Sequence, residues 1–167
     1  MTNYLRLSIT HVATATEAAF LDQQLSYWKI YKLDLESTIF SVEPIAIWKA
    51  LIYSIRNKFN KIVIFTDSLS ALKALQSSKI HRNTNWFLQR VRDAIYNILK
   101  AHKVIHLVYI PSHNGIEGNE TVDKLAKSAA IIGIDENLPL PHTDIEAAIT
   151  KKWKDQIAQD WELTSPS

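Results

Sequence analysis

Cysteine is absent from this 167-residue chain. Its absence excludes disulfides, thiol catalysis and thiolate zinc sites, and leaves oxygen and imidazole as the ligands open to any metal. It also fits a reducing compartment, so the chain is expected to be intracellular. No apolar run approaches the ~18 residues that span a bilayer, and no membrane association is expected. The opening Met1-Thr-Asn-Tyr-Leu-Arg6 lacks the basic and then apolar order of a secretory signal. A strong charge of one sign is missing as well, the formal net charge being +2.

Hydrophobic residues at 47% and charged residues at 22% are ordinary for a globular protein, neither disordered nor membrane-embedded. The length suits one well-buried domain plus a tail. The modest net charge hides an uneven distribution. From Arg56 to Lys103 there are ten Lys or Arg against only Asp67 and Asp93. Such a stretch is either a solvated helix face or a surface for a phosphate backbone.

Tyr4 to Ile9 alternates apolar and polar residues and predicts a strand. Ala18 to Leu21 and Leu25 to Leu33, joined by Asp22-Gln-Gln24, predict a hairpin in which Asp22 is a turn residue. A helix is expected from about Val42 to Ile55, with Pro44 in its first turn. Lys61 to Thr66 predicts a strand whose near-continuous apolar run argues burial on both faces. Ser68 or Ser70 can cap a short helix over Ala71 to Leu75. Trp86, Phe87, Val91, Ala94, Ile95, Ile98 and Leu99 recur at helical spacing. Val104 to Ile110 predicts another strand, and a helix is expected from Asn119 or Glu120 to about Ala130. Leu138-Pro-Leu-Pro-His142 predicts an extended linker. Beyond it, Asp144 to Trp161 predicts an amphipathic helix striped by Ile145, Ile149, Trp153 and Ile157. The expectation is an α/β domain over residues 1–132 with a mixed five-stranded sheet and flanking helices. Residues 133–167 are expected to form a linker and an appended helix.

Three carboxylates stand at the edges of separate elements. Asp67 follows the strand Ile62 to Thr66, Glu43 opens the helix carrying Ile45, Ile47 and Leu51, and Asp123 lies ten residues after His113. Carboxylates converging from different elements suit a hard divalent cation. Each also has a plain reading, as a helix cap, a first-turn dipole partner or a solvated helix residue. Their order and context say more. Phe40-Ser-Val-Glu43 with Ala46, Ala50 and Leu51, then Phe65-Thr-Asp-Ser68, then Pro111-Ser-His-x-Gly-x-x-Gly-Asn-Glu-x-x-Asp-x-Leu-Ala126 resemble a type 1 ribonuclease H domain. The resemblance runs from about Tyr4 to Ile131, and is strongest to the domain in non-LTR retrotransposon polyproteins.

The resemblance implies a ribonuclease H-like fold that hydrolyses the RNA strand of an RNA–DNA hybrid with two Mg2+ ions, Mn2+ being a second candidate. It implies Glu43, Asp67 and Asp123 as metal ligands, and His113 as a catalytic aid to proton transfer or product release. Glu117 and Glu120 would stand behind the metals. Arg82, Arg90 and Arg92 fall where some relatives carry a hybrid-contacting helix, whereas Trp86 and Phe87 are expected to pack in the core. Asn119 would cap the helix that presents Asp123. His102 and His106 are read as ordinary residues. The partners implied are the hybrid and the reverse transcriptase part of a polyprotein, with the domain itself monomeric.

One departure stands out. The family's first strand ends in an aspartate that bridges both metals, and here no aspartate precedes Asp22. His11 holds the expected position. Imidazole carries no negative charge and suits magnesium poorly, so activity is expected to be impaired. The competing reading is an inactive nucleic-acid-binding or structural remnant of the same fold.

Overall fold

The computed structural model describes residues 4–11, 17–77, 85–111, 117–128 and 132–164. Six strands form one mixed sheet: β1 (Tyr4–His11), β2 (Glu17–Asp22), β3 (Tyr27–Lys32), β4 (Lys61–Thr66), β5 (Val104–Tyr109) and β6 (Ile134–Asp135), in the order β5-β4-β1-β2-β3-β6. β1, β2 and β3 pair antiparallel, while β4 runs parallel to β1 and β5 parallel to β4. The expected count of five is corrected by β6, which adds Ile134 and Asp135 in parallel to Tyr31 and Lys32 of β3. A two-residue strand carries no alternation by which it could be read from sequence.

Asp22 is the turn residue of the hairpin, as expected. It is fully buried, and its Oδ1 accepts from Gln24 N at 3.0 Å and Leu25 N at 3.2 Å. Its Oδ2 accepts from the Tyr53 hydroxyl at 3.0 Å, which ties the turn to the helix α1 (Ile39–Arg56). Tyr53 in turn stacks on Tyr27, with ring centroids 4.8 Å apart.

α1 starts three residues earlier than predicted, so Pro44 stands in its second turn and Phe40 O lacks its usual donor there. α1, α2 (Leu69–Gln76) and α3 (Trp86–Lys100) lie on one face of the sheet. Val42, Ile45, Ala46, Ala50 and Leu51 of α1 meet Phe87, Val91, Ala94 and Ile98 of α3 over Ala18, Phe20, Ile62 and Ile64. The helical stripe of α3 is therefore its core face, except for Leu99, which is exposed. α4 (Glu117–Lys127) covers the other face, where Val122 packs with Ala19, Leu21 and Ile30. Because α4 lies over β1, β2 and β3, β2 is buried on both faces but β4 is not. Val63 and Phe65 are only half-buried, which corrects the two-sided burial read from the apolar run.

α1 and α3 end alike. Lys58 (φ 56°) and His102 (φ 55°) occupy the left-handed position. The following amides reach back five residues, Phe59 N to Ser54 O and Lys103 N to Ile98 O, both at 3.2 Å. This is a Schellman ending, in which glycine is the usual residue.

The segment after Gly133 is not a free linker up to the last helix, α5 (His142–Thr164). Lys49 pairs with Glu136 at 2.6 Å, Leu138 packs on the main core, and Trp86 Nε1 donates to Pro139 O at 3.3 Å. Asp144, in the first turn of α5, is fully buried. From Ile145 onward the helix stands clear: Ile145, Ile149, Trp153, Ile157 and Trp161 are all exposed. Among the described residues no helix is long and apolar enough to cross a membrane.

Candidate active site

β4 ends at Thr66, whose buried hydroxyl accepts from Ser68 N at 3.2 Å. The chain turns there into α2, and Asp67 occupies the turn with its Oδ1 withdrawn from solvent. Ser68 is the N-cap of α2, its Oγ accepting from Ala71 N at 3.1 Å. That satisfies one of the first-turn amides a helix leaves without a partner. The same hydroxyl donates to Glu43 Oε2 on α1, to which Ser70 Oγ also donates, at 3.0 Å. Glu43 is 6% exposed. The N-terminal part of α1 therefore delivers one carboxylate beside the strand end that delivers another.

β1 ends at the same edge of the sheet. Its parallel register with β4 runs from Tyr4 opposite Lys61 to Ile9 opposite Thr66. Continued along the chain, it sets Thr10 level with Asp67 and His11 level with Ser68. Backbone placement thus brings the end of β1, Asp67 and the Glu43 turn of α1 together at the carboxyl ends of parallel strands, where open α/β sheets form their sites. β5 closes the edge on the far side, with Ile110 N donating to Thr66 O at 2.9 Å.

Asp123 lies on α4, across the sheet from Glu43, and α4 packs on β1 and β2. The side chains of His11, Asn119 and Asp123, and the whole of His113 and Arg82, fall outside the described residues. Glu117 and Glu120 are exposed in the first turn of α4. Among the described residues, no group of three or more His, Cys, Asp or Glu is gathered for a metal. What is described is a pair of carboxylates on adjacent elements, an all-oxygen donor set that fits a hard divalent cation.

The two basic residues of α3 differ in kind. Arg90 is exposed, with its guanidinium 5.8 Å from the centre of the Trp86 ring. Arg92 instead donates through Nη2 to Ala74 O at 2.8 Å and Ser77 O at 2.9 Å, closing the C-terminal end of α2. This guanidinium therefore serves carbonyls within the chain. Phe87 is buried and Trp86 half-buried on the core, as expected of both.

Of the two caps the sequence offers, Ser68 and Ser70, the structure uses Ser68; the bond from Ser68 to Glu43 was not foreseen. The Asp-Ser pair signals a helix start, and nothing local to it reports a partner 25 residues away.

A family model described as RNase H matches residues 10–131. Comparison with curated proteins returns no match. Among solved structures, the chain is similar to a crystal structure of RNase H1 from the halophilic archaeon Halobacterium salinarum NRC-1. The two are 18% identical with a TM-score of 0.56, over 76% of this chain and 97% of that one. That likeness extends to the fold, with its mixed sheet and flanking helices.

Proposed function

Because this chain belongs to the ribonuclease H family, we propose that it acts on RNA–DNA hybrid as an endonuclease of the RNA strand, and that its metal site is weakened at the first ligand position. The observation that carries this reading is the bond from Ser68 to Glu43, which sets Glu43 beside Asp67 at the ends of parallel strands. Glu43, Asp67 and Asp123 would hold divalent cations, magnesium by preference for an all-oxygen set. Cations held there would supply stabilisation of an attacking water and of the leaving 3′ oxygen in an in-line displacement.

The chain's own groups do the remainder. Ser68 and Ser70 fix the Glu43 carboxylate. His113 carries a proton to or from the reacting oxygens, a task suited to imidazole at neutral pH. Arg90 and neighbouring cations of the basic stretch neutralise backbone phosphates. The motif set resembles that of a non-LTR retrotransposon, so the natural setting proposed is a polyprotein with a reverse transcriptase.

His11 is the weak point. An imidazole where the family has an aspartate would leave bound cations short of one negative charge, and slow turnover with magnesium is the expected result. Manganese, which accepts nitrogen more readily, should restore part of it. The same substitution favours a second reading, a domain that still holds hybrid but does not cut it. Incubation with a hybrid labelled in one strand at a time separates them. The ribonuclease reading requires metal-dependent cutting of the RNA strand alone, leaving 5′-phosphate and 3′-hydroxyl ends. Salt-sensitive binding with no product in either metal establishes the second.

A further inference from the structure

The family match ends at residue 131, yet the chain beyond it reaches back to the helix that carries Glu43. Asp144, fully buried in the first turn of α5, accepts three hydrogen bonds from the start of α1. Its Oδ2 takes Thr38 N at 3.1 Å, and its Oδ1 takes Thr38 Oγ1 at 2.7 Å and Ser41 Oγ at 2.8 Å. Thr38 is the N-cap of α1, but its own side chain makes no capping bond. A carboxylate from over a hundred residues away instead holds the backbone N–H and the hydroxyl of that cap residue.

The chain of bonds continues into a third helix. Asn85 Nδ2 donates to Ser41 Oγ, while Asn85 Oδ1 accepts from Phe87 N at 2.9 Å and so caps α3. The starts of α1, α3 and α5 therefore share one buried, hydrogen-bonded junction. A fully buried carboxylate is costly to desolvate. Three bonds to the charged group and the positive ends of α1 and α5 offset that cost. Such a junction fixes the direction in which α1 leaves the sheet edge, and Glu43 follows Ser41 by two residues.

We propose that Asp144 is a positioning residue for Glu43: the C-terminal segment latches the first turn of α1, and the latch sets where the Glu43 carboxylate stands. This rests on the metal-site reading above for its consequence, though not for the latch itself. The test uses the full chain with Asp144→Ala, the shape-conserving Asp144→Asn, and Ile98→Ala. The last is a control that destabilises the core from α3, away from the junction. Binding of Mn2+ alone is followed by water-proton relaxation well below each melting temperature, and hydrogen exchange is followed over residues 39–43.

Groups that orient a metal ligand are worth about ten-fold or more in affinity, so the Asp144 variants should bind Mn2+ about ten-fold more weakly and exchange faster over residues 39–43. Ile98→Ala should match the parent in affinity. Should Asp144→Ala fail to fold, Asp144→Asn carries the comparison. Parent-like Mn2+ affinity in the Asp144 variants overturns the positioning role. If the parent chain itself does not bind Mn2+, the metal-site reading fails, and exchange alone decides the latch. Protection over residues 39–43 no lower in the Asp144 variants than in Ile98→Ala would then overturn it.

Discussion

Ser68 Oγ both accepts from Ala71 N, capping α2, and donates to Glu43 Oε2 on α1. One hydroxyl thereby couples the start of a short helix to a buried carboxylate, and couples the residue after Asp67 to the opposite wall of the same site. Removing it disturbs two elements at once.

Ser68→Ala should therefore cost more than a cap alone. Loss of an N-cap costs about 1 kcal/mol, and leaving Glu43 short of a donor adds about 1–3 kcal/mol. Ser70→Ala, which removes a donor to Glu43 at 3.0 Å and a contact with Ser68 Oγ at 3.2 Å but no cap, should cost below about 1 kcal/mol. Urea unfolding of both variants checks the order. Equal losses would show that the Ser68 bond to Glu43 contributes nothing beyond Ser70.

Arg90 and Arg92 should separate binding from stability. Arg90→Ala should weaken hybrid binding, reduce the slope of log affinity against log salt by about 1, and leave the melting temperature nearly unchanged. Arg92→Ala should instead destabilise the fold, because two carbonyls at the end of α2 lose their donor. A salt-slope change for Arg92→Ala without loss of stability would reverse these assignments.

The left-handed endings offer a gain. A non-glycine residue in that region carries about 1 kcal/mol of strain, so Lys58→Gly and His102→Gly should each stabilise the chain by up to that amount. Thermal unfolding checks it. A lower melting temperature in both would show that the side chains of Lys58 and His102 contribute more than the backbone loses.

Alkaline pH should unfold the domain early. Burial, aided by the negative charge of Glu136, raises the Tyr31 phenol above its ordinary value; burial and the bond to Asp22 raise Tyr53 likewise. The unfolded chain releases these protons near pH ~10 while the folded chain keeps them. Stability is thus complete below about pH 10 and falls as pH rises beyond it. Denaturant midpoints measured across that range should decline, less steeply in Tyr53→Phe. A flat profile would contradict the raised phenols of Tyr31 and Tyr53.

Much of this arrangement was legible in the sequence because its signals are local. The hairpin from Ala18 to Leu33 shows as two apolar runs around Asp22, and α3 as a helical stripe from Trp86 to Leu99. The adjacency of Glu43 and Asp67 came from motif order in the family, not from spacing. What stayed hidden depends on distant partners. Asp144 reads as an ordinary first-turn acid, and only the folded chain shows it serving Thr38 and Ser41. β6 is too short to carry a period, and the one-sided burial of β4 depends on how far α4 reaches across the sheet.

The most direct test of the account compares RNA–DNA hybrid cleavage by the parent chain, His11→Asp and Thr10→Asp, the last at the position level with Asp67. Each is assayed with Mg2+ and with Mn2+. Slow cleavage by the parent in Mg2+, partial recovery in Mn2+, and a large gain in Mg2+ when the missing carboxylate is restored at His11 are expected. Parent cleavage in Mg2+ as fast as that of His11→Asp would contradict that expectation.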